Sequence, residues 1–442
     1  MKLSMMAVAI LGVMGVQAEA GAADLLEVYR AAQAQDPVIA AAQASRQAGQ
    51  EKLVQGRAAI LPSVTLSANS TYNDNQIQFP GATRQMTYNS SGAGVTLVQP
   101  LFRQQNWLAY TESELQTGIS DAQYQQAQQD LIVRVAQAYF DVLVAQDSVQ
   151  LAEAQKQAIA EQREQARRNF EVGTATITDT YEAQARYDLT DAQLIAAQSN
   201  LEIKRRALQQ ITNSEVDGLR SLESSLKLEA PQPDDVAKWV DDAQQHNLQI
   251  LIARASAELA DKEVDRNRGG HYPTVDLVAN YIQNSSNGGV FNGTGYGAAD
   301  TTSKSVGVQL NMPLFQGGAT QSKWREAEAN REKAQQDLEN AKRNVTVQVR
   351  QAYLGVVNGI SQVQALQQAL KSSTSLLDAS KLGQKVGVRT NLDVLNAQQQ
   401  LFATRRDLYQ AQYNYLLSEL RLKAAVGGLD ESALLHVNQA LH

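Results

Sequence analysis

The side chains that most often carry out chemistry are few and scattered in this chain. Its 442 residues include four histidines and no cysteine. The histidines, His246, His271, His436 and His442, fit no spacing typical of a metal site, and no glycine-rich phosphate-binding loop precedes a helix. We therefore expect no enzyme activity, no metal and no cofactor.

One polar motif occurs twice and is the strongest candidate for a functional site. Its copies are Val172-Gly173 with Thr176 and Asp179, and Val386-Gly387 with Thr390 and Asp393. A glycine after a helix favours a turn with positive φ, and Thr-x-x-Asp is typical of a capping box at the start of the next helix. Capping alone, at about 1 kcal/mol each, explains both pairs, but a second role for the aspartates is compatible with it.

This motif is part of a repeat that covers the whole chain. Pro62 and the seven residues after it return at Pro273, and Pro100-Leu101-Phe102 returns as Pro313-Leu314-Phe315. The offsets are 211 (62 to 273), 213 (100 to 313) and, for the Val-Gly turns, 214 (173 to 387) residues. Several landmarks in one order predict two structural copies.

Each copy is expected to contain a helix, two strands and two long helices. The first repeat, 21–213, has strands at about 63–73 and 88–99 and long helices at 103–170 and 176–213. The second, 236–426, has strands at about 274–284 and 303–311 and long helices at 317–385 and 390–426. The first helices are predicted from Leu25 to Ala59 and from Val236 to Arg268. Pro62 and Pro273 are expected to stop a helix before a strand, and Pro100 and Pro313 to open the next helix.

The long helices carry an apolar seam with heptad spacing, which begins at Leu131, Val135, Ala138 and Val142 in the first copy. A second apolar stripe runs beside it, so each helix needs neighbours on two sides. The stretch from Arg103 to Phe170 would be about 100 Å long at the rise of an α-helix. Such a length indicates a filament or an element that crosses the periplasm.

Alternating apolar and polar residues, as in Val64, Leu66 and Ala68 or Val275 and Leu277, predict strands with one face in lipid and one in water. Alternation alone is also compatible with a soluble sheet over a core. Four strands are predicted per chain, whereas closed membrane barrels need about eight, and open edges are not tolerated in lipid. We therefore expect a barrel shared between subunits, with the polar loops 73–90 and 285–302 facing outside.

The charge and the N-terminus bear on partners and location. The net charge of −7, with no basic block, argues against nucleic-acid binding. Lys2, the apolar run from Met5 to Val16 and Ala18-Glu19-Ala20 predict a secretory signal peptide over residues 1–20. No later segment resembles a spanning helix, so any membrane crossing is expected to use strands.

The duplicated helix–strand–strand–helix plan, the Pro-Leu-Phe junctions and the Val-Gly turns together resemble TolC-like outer-membrane efflux and type I secretion channels. The resemblance implies a mainly α fold with β, in which a homotrimer forms a twelve-stranded outer-membrane β-barrel continued by a periplasmic α-helical barrel. Segments 214–235 and 427–442 would form an equatorial belt. Because cysteine is absent, the secretion branch of the family is favoured over its lipid-anchored branch.

The resemblance also implies a function and partners. The chain would lie in outer-membrane lipid, extend into the periplasm and passively conduct proteins, small toxic compounds or both. Cargo would arrive from an inner-membrane ABC or proton-driven transporter through a periplasmic adaptor, whose helical hairpin would contact the tips at Val172, Gly173, Val386 and Gly387. The alternative is a periplasmic coiled-coil adaptor or scaffold, although that class does not need two strand pairs.

A gate near the second Val-Gly turn follows from the same resemblance. The matching residues are Arg389, Asp393, Asn396 and Gln384, with Thr178 and Asp179 opposite them in the first repeat. In the family, the arginine links to the partner helix pair and an acidic ring lines the constriction. Here Asn396 stands where an aspartate is usual and Gln384 where a tyrosine often helps to hold the lock, so weaker cation selectivity is expected.

Overall fold

The structure is a computed structural model that describes residues 22–215, 218–222, 226–291 and 294–441. The predicted signal peptide, residues 1–20, lies outside the described residues. The helices are α1 (Leu25–Gln35), α2 (Pro37–Ala58), α3 (Gln104–Glu171), α4 (Ile177–Thr212), α5 (Val236–His246), α6 (Leu248–Arg268), α7 (Ala319–Lys385), α8 (Asn391–Ala425) and α9 (Glu431–Asn438). The strands are β1 (Ser63–Phe79), β2 (Ala82–Phe102), β3 (Thr274–Ser286), β4 (Gly289–Phe291), β5 (Thr294–Tyr296) and β6 (Ala299–Asn311).

The chain divides into two compact units. The first unit takes the described residues of Met1–Ala40, Gln128–Val240 and Gln348–His442, and the second takes Ala41–Ala127 and Asp241–Val347. The second unit holds the strands, and the first holds both Val-Gly turns. No helix in the described part of the chain combines the length and the apolar character needed to cross a membrane.

The second unit contains a four-stranded antiparallel sheet in the order β1-β2-β3-β6. Residues paired directly across it share a face, and successive residues along a strand alternate between faces. An apolar row crosses all four strands through Val64, Leu97, Ala279 and Val306. The next residue along β1 begins a polar row of Thr65, Thr96, Asn280 and Ser305 on the other face. The sheet therefore has an apolar and a polar face at this level.

The first strand pair is longer than predicted, and the expected loop 73–90 is wrong. Strands β1 and β2 continue as a paired ladder until Phe79 faces Ala82, and only Pro80 and Gly81 connect them. Gly81 has φ +89°, which a type II turn requires at its third residue. The sequence did not predict this extension because its side chains are mostly polar. The hydrogen bonds between paired strands are made by the backbone and do not require apolar side chains. In the expected loop 285–302, β4 and β5 form a small hairpin.

The roles predicted for two junction prolines are corrected as well. Pro62 and Pro273 each lie directly before a strand, as expected. Pro100, however, lies within β2, where the pairing with β3 shifts register between Pro100 and Phe102. Proline has no N–H to donate to a ladder and is therefore found at such irregularities. Pro313 follows β6, and α7 begins only at Ala319. Neither proline opens a helix.

The first helix of each repeat is broken in two. Asp36 separates α1 from α2, and its extended backbone is the conformation favoured before a proline, here Pro37. Asp36 is buried and pairs with Arg134 of α3. In the second repeat Asn247 ends α5 and caps α6, because its side chain accepts hydrogen bonds from two backbone N–H groups.

The seam of the long helices forms the core of the first unit. On α3, Leu131, Val135, Val142 and Ala145 are at most 1% exposed. Helices α7 and α8 pack through two apolar clusters, which are Val363 with Leu408 and Ala411, and Leu377 with Val394, Ala397 and Leu401. The heptad spacing therefore identified the buried face of these helices.

Three distant segments meet in the first unit near the predicted belt. Ala23 pairs with Leu219, and Leu222 pairs with Leu441. Asn438 of α9 accepts a hydrogen bond from the N–H of Leu25 at 3.0 Å. The segment that begins at residue 22 therefore contacts both of the segments that were predicted to form a belt.

Candidate gate and tip residues at the two Val-Gly turns

Both Val-Gly turns close with the same backbone motif. Gly173 has φ +77° and Gly387 has φ +79°. The N–H of Thr174 donates to the carbonyl of Asn169 at 2.8 Å. In the same way, the N–H of Val388 donates to the carbonyl of Gly383 at 2.9 Å. Each glycine N–H donates to the carbonyl three residues earlier. This is the Schellman arrangement, which satisfies carbonyls at a helix end and requires a left-handed residue.

Both following helices start with a complete capping box. The Asp179 N–H donates to Thr176 Oγ1 at 3.3 Å, and the Thr176 N–H donates to the Asp179 carboxylate at 2.9 Å. In the second copy the Asp393 N–H donates to Thr390 Oγ1 at 3.2 Å, and the Thr390 N–H donates to the Asp393 carboxylate at 2.8 Å. The capping function inferred from the sequence is therefore present in both copies. It leaves the gating role of the aspartates as a separate question.

The second turn differs from the first because it carries Arg389, whose side chain lies against Gly383 of α7. Arg389 Nη1 is 3.6 Å from the Asp393 carboxylate one turn later. A Cβ atom on Gly383 would lie only 2.6 Å from Cγ of Arg389. In the first copy, 214 residues earlier, Ala175 and Asn169 occupy these positions. The second copy thus has Arg389 next to Gly383, where the first copy has Ala175 and Asn169.

The capping box also sets the charge state of Asp393. Hydrogen bonds from the Thr390 backbone and hydroxyl lower the pKa of Asp393, and the Arg389 guanidinium lowers it further. All of these groups favour the ionised form. At neutral pH the start of α8 therefore carries a carboxylate beside an arginine on an exposed surface.

The other predicted gate residues have partners within the same chain. Gln384 Nε2 donates to Asn391 Oδ1 at 3.1 Å. Asn396 Oδ1 accepts a hydrogen bond from Arg186 of α4 at 3.2 Å. Thr178 is exposed. Within one chain the structure thus pairs Arg389 with its own helix and not with Thr178 or Asp179, the positions expected opposite it.

The family follows from a comparison with known sequences. A family model described as outer membrane efflux protein matches the chain twice, over residues 28–214 and 239–428. The chain belongs to the outer membrane efflux protein family. The two matches begin 211 residues apart (28 to 239), which is within the range of the repeat offsets. Each repeat of this outer membrane efflux protein therefore matches the family model separately.

Individual relatives cover almost the whole outer membrane efflux protein. Outer membrane protein TolC of Escherichia coli is 35% identical over 439 residues, with 98% of this chain and 87% of TolC covered. Alkaline protease secretion protein AprF of Pseudomonas aeruginosa is 33% identical over 427 residues, with 94% and 87% covered. The chain lies in the outer membrane, extends into the periplasm and is an exit duct for export.

Solved structures share the fold of this outer membrane efflux protein. The Campylobacter jejuni CmeC outer membrane channel superposes with a TM-score of 0.80 at 16% identity, over 100% of this chain and 98% of CmeC. The Vibrio cholerae outer membrane protein VceC gives 0.77 at 19% identity, over 91% and 96%. At such identities the likeness concerns the fold alone.

The tips of the efflux protein expose apolar side chains. Val172 is 73% exposed, Val386 66% and Val388 76%. Both turn glycines have open space around the position of a Cβ atom, so positive φ and not crowding selects glycine there. Valine side chains are thus accessible to solvent at both turns of the single chain.

Two site residues were missed by reasoning from the sequence. Gly383 carried a weak signal, because it is one of few glycines inside a long helical pattern and lies six residues before Arg389. Arg186 carried none, because its partners lie 210 and 213 residues away. In the described part of the chain, no group of three or more metal-binding side chains is found.

Proposed function

We propose that this exit duct belongs to a tripartite export system and that it passively conducts cargo without acting on it chemically. The observation that carries the proposal is the sheet, whose apolar row of Val64, Leu97, Ala279 and Val306 lies opposite a hydrogen-bonded polar row. On the polar face Thr96 donates to Asn280 at 2.9 Å. A wall between lipid and water needs this arrangement.

The duct is proposed to be a homotrimer. The four-stranded sheet ends in β1 and β6, and an edge strand in lipid would leave backbone groups without hydrogen bonds. Pairing β6 of one chain with β1 of the next closes the wall, and three chains give twelve strands. Val306, Val308 and Leu310 of β6 are all at least 65% exposed in the single chain, which favours contact with lipid.

The duct is proposed to narrow at the Val-Gly tips. Three copies of Asp393 around one axis would form an anionic ring that attracts cations. Arg389 would reach Thr178 and Asp179 of the neighbouring chain in the closed state. The Arg389–Asp393 contact of 3.6 Å supports this role because it is long, solvent-exposed and therefore easily exchanged for another partner.

The tips are also proposed to receive a periplasmic adaptor, which links the duct to an inner-membrane ABC or proton-driven transporter. The exposed Val172, Val386 and Val388 would contact a helical hairpin of the adaptor. The segments 214–235 and 427–442, together with the residues from 22 onward, would form an equatorial belt.

Protein cargo is the favoured class. Two relatives are named for secretion of proteases, AprF of Pseudomonas aeruginosa and PrtF of Dickeya chrysanthemi, at 33% and 31% identity. Relatives named as efflux pump proteins, such as TtgC of Pseudomonas putida, are 26% identical over 72% of this chain. Measuring both a secreted protein and dye efflux in a strain that lacks this gene separates the two classes.

Membrane extraction followed by native mass spectrometry tests the proposal. A trimeric duct requires detergent for release and runs with three times the mass of the mature chain. A periplasmic adaptor or scaffold, the alternative suggested by the long helices, is released by a salt wash. Release by salt, or a monomer in native lipid, would contradict the duct.

A further inference from the structure

Near the tips, one arginine joins the two helix pairs of the first unit. Arg186 Nη1 donates to Gln399 Oε1 at 2.7 Å, and Arg186 Nη2 donates to Asn396 Oδ1 at 3.2 Å. Arg186 belongs to α4, whereas both acceptors belong to α8. The two acceptors are three residues apart, so they lie on the same face of α8. The guanidinium of Arg186 therefore forms two hydrogen bonds with one face of α8.

The position of this contact relates it to the turns. Arg186 is the tenth residue of α4 and Asn396 the sixth of α8. At the rise of an α-helix, they lie roughly 15 Å and 9 Å beyond the helix starts. Other polar contacts between the helix pairs, such as Tyr413 to Asp147 at 2.9 Å, lie much later in α8. Movement of the tips away from each other would stretch the Arg186 contact early.

The acceptors make this contact strong enough to position a helix but weak enough to break. Both acceptors are neutral amide oxygens, so Arg186 forms hydrogen bonds with them but no ion pair. Asn396 and Gln399 are exposed, so water can replace either bond. An aspartate at 396 would instead form an ion pair with Arg186, which is stronger and harder to break.

We propose that Arg186 is a positioning residue that tethers α4 to α8 of the same chain and thereby favours the closed tip of the duct. The proposal rests on the proposed function as far as gating is concerned. It gives Asn396 a role that differs from lining the pore, because its side-chain oxygen is engaged by Arg186. The tether belongs within one chain, in contrast to the link proposed between Arg389 and a neighbouring chain.

Single-channel recording in planar lipid bilayers tests the tether. Arg186→Met keeps the length of the side chain but removes both hydrogen bonds to α8. We expect openings to become roughly fivefold more frequent, which corresponds to two solvent-exposed hydrogen bonds at the lower end of their usual net contribution. Arg186→Lys, with one donor group, should lie between. The matched control is Arg206→Met, because the hydrogen bonds of Arg206 among the described residues go to Glu202 and Gln209 of α4 and to Glu215 directly after it.

Asn396→Asp supplies a second arm. With Arg186 present, the new ion pair should make openings several-fold rarer, and in the Arg186→Met background this effect should disappear. An equal effect of Asn396→Asp in both backgrounds, or wild-type gating in Arg186→Met, would overturn the tether. If the wild-type protein forms no pores at all, the duct itself fails.

Hydrogen exchange in detergent tests the tether without relying on the duct. Amides of residues 391–399 should exchange several-fold faster in Arg186→Met than in Arg206→Met, while the melting temperatures of the two variants remain equal. Equal exchange in the two variants would contradict the tether even if both conduct ions.

Discussion

The two Val-Gly turns have the same backbone and different surfaces. Both use a glycine near φ +78°, a Schellman hydrogen bond and a Thr-x-x-Asp capping box. Only the second turn adds Arg389, which lies against Gly383 and beside Asp393. The duplication has thus retained what shapes the turn and changed what the turn presents. The shared residues explain the folding of both turns, whereas Arg389 and Gly383 occur only at the second turn.

The largest expected effect comes from closing the space at a turn glycine. Gly387→Val places a β-branched side chain at φ +79°, where left-handed backbone costs an L-residue about 1–2 kcal/mol, and enlarges the surface offered to the adaptor. We expect export to be abolished while the trimer still assembles. Secretion of cargo and native electrophoresis measure the two quantities.

One further glycine serves as a control for this variant, and another extends the test to the first turn. Gly81→Val introduces similar strain at φ +89° in the β1–β2 turn, far along the chain from the tips, and should leave export intact. Gly173→Val tests whether the first turn also contacts the adaptor. Normal export by Gly387→Val would rule out the proposed adaptor contact.

Exchanging the differing pair sharpens the comparison directly. Gly383→Asn combined with Arg389→Ala gives the second turn the residues of the first, for which the backbone is already suited. We expect an unchanged melting temperature and a several-fold increase in ion leak through the duct. A large drop in melting temperature would mean that Arg389 serves the fold and not the gate.

Removing one cap should have a smaller effect, and the same one in both copies. Thr176→Ala and Thr390→Ala should each destabilise the following helix start by about 1 kcal/mol. Hydrogen exchange of the first turns of α4 and α8 measures this change. We expect Asp393→Ala to alter conductance more than Thr390→Ala does. Equal changes in conductance would mean that Asp393 acts only as a cap.

Acidification should produce the smallest effect. Because the folded structure lowers the pKa of Asp393 below its ordinary value of 3.8, the carboxylate stabilises α8 fully above that value. This contribution should be lost as the pH falls through the lowered pKa. Exchange of the first-turn amides of α8 should accelerate in that range, and Asp393→Asn should not show the acceleration. The same pH dependence in Asp393→Asn would assign it to another group.

Reasoning from the sequence succeeded where structure is local. The turns and caps depend on residues within about six positions of one another, and the heptad seam repeats at short range. The long helices accordingly begin and end within two residues of their predicted bounds, such as α4 at Ile177–Thr212 against 176–213. The second Val-Gly turn could be located for the same reason.

The failures have physical causes as well. The β1–β2 hairpin extends beyond residue 73 because backbone pairing continues under polar side chains, and the Pro80-Gly81 dipeptide was the available turn signal. The breaks at Asp36 and Asn247 follow from a proline and a cap inside an otherwise helical pattern. The contact of Arg186 with α8 joins residues more than 200 positions apart in the chain. The spacing of residues in one sequence does not show that two such distant residues are close in space.

Single-channel conductance of the wild-type protein beside Arg389→Ser and Asp393→Ala tests the central claim, a shared duct closed by the second turn. We predict a low-conductance pore for the wild type, a larger conductance for Arg389→Ser, and weaker block by divalent cations for Asp393→Ala. Wild-type conductance and cation block in both variants, with only their melting temperatures lowered, would show that these residues are caps and would contradict the gate.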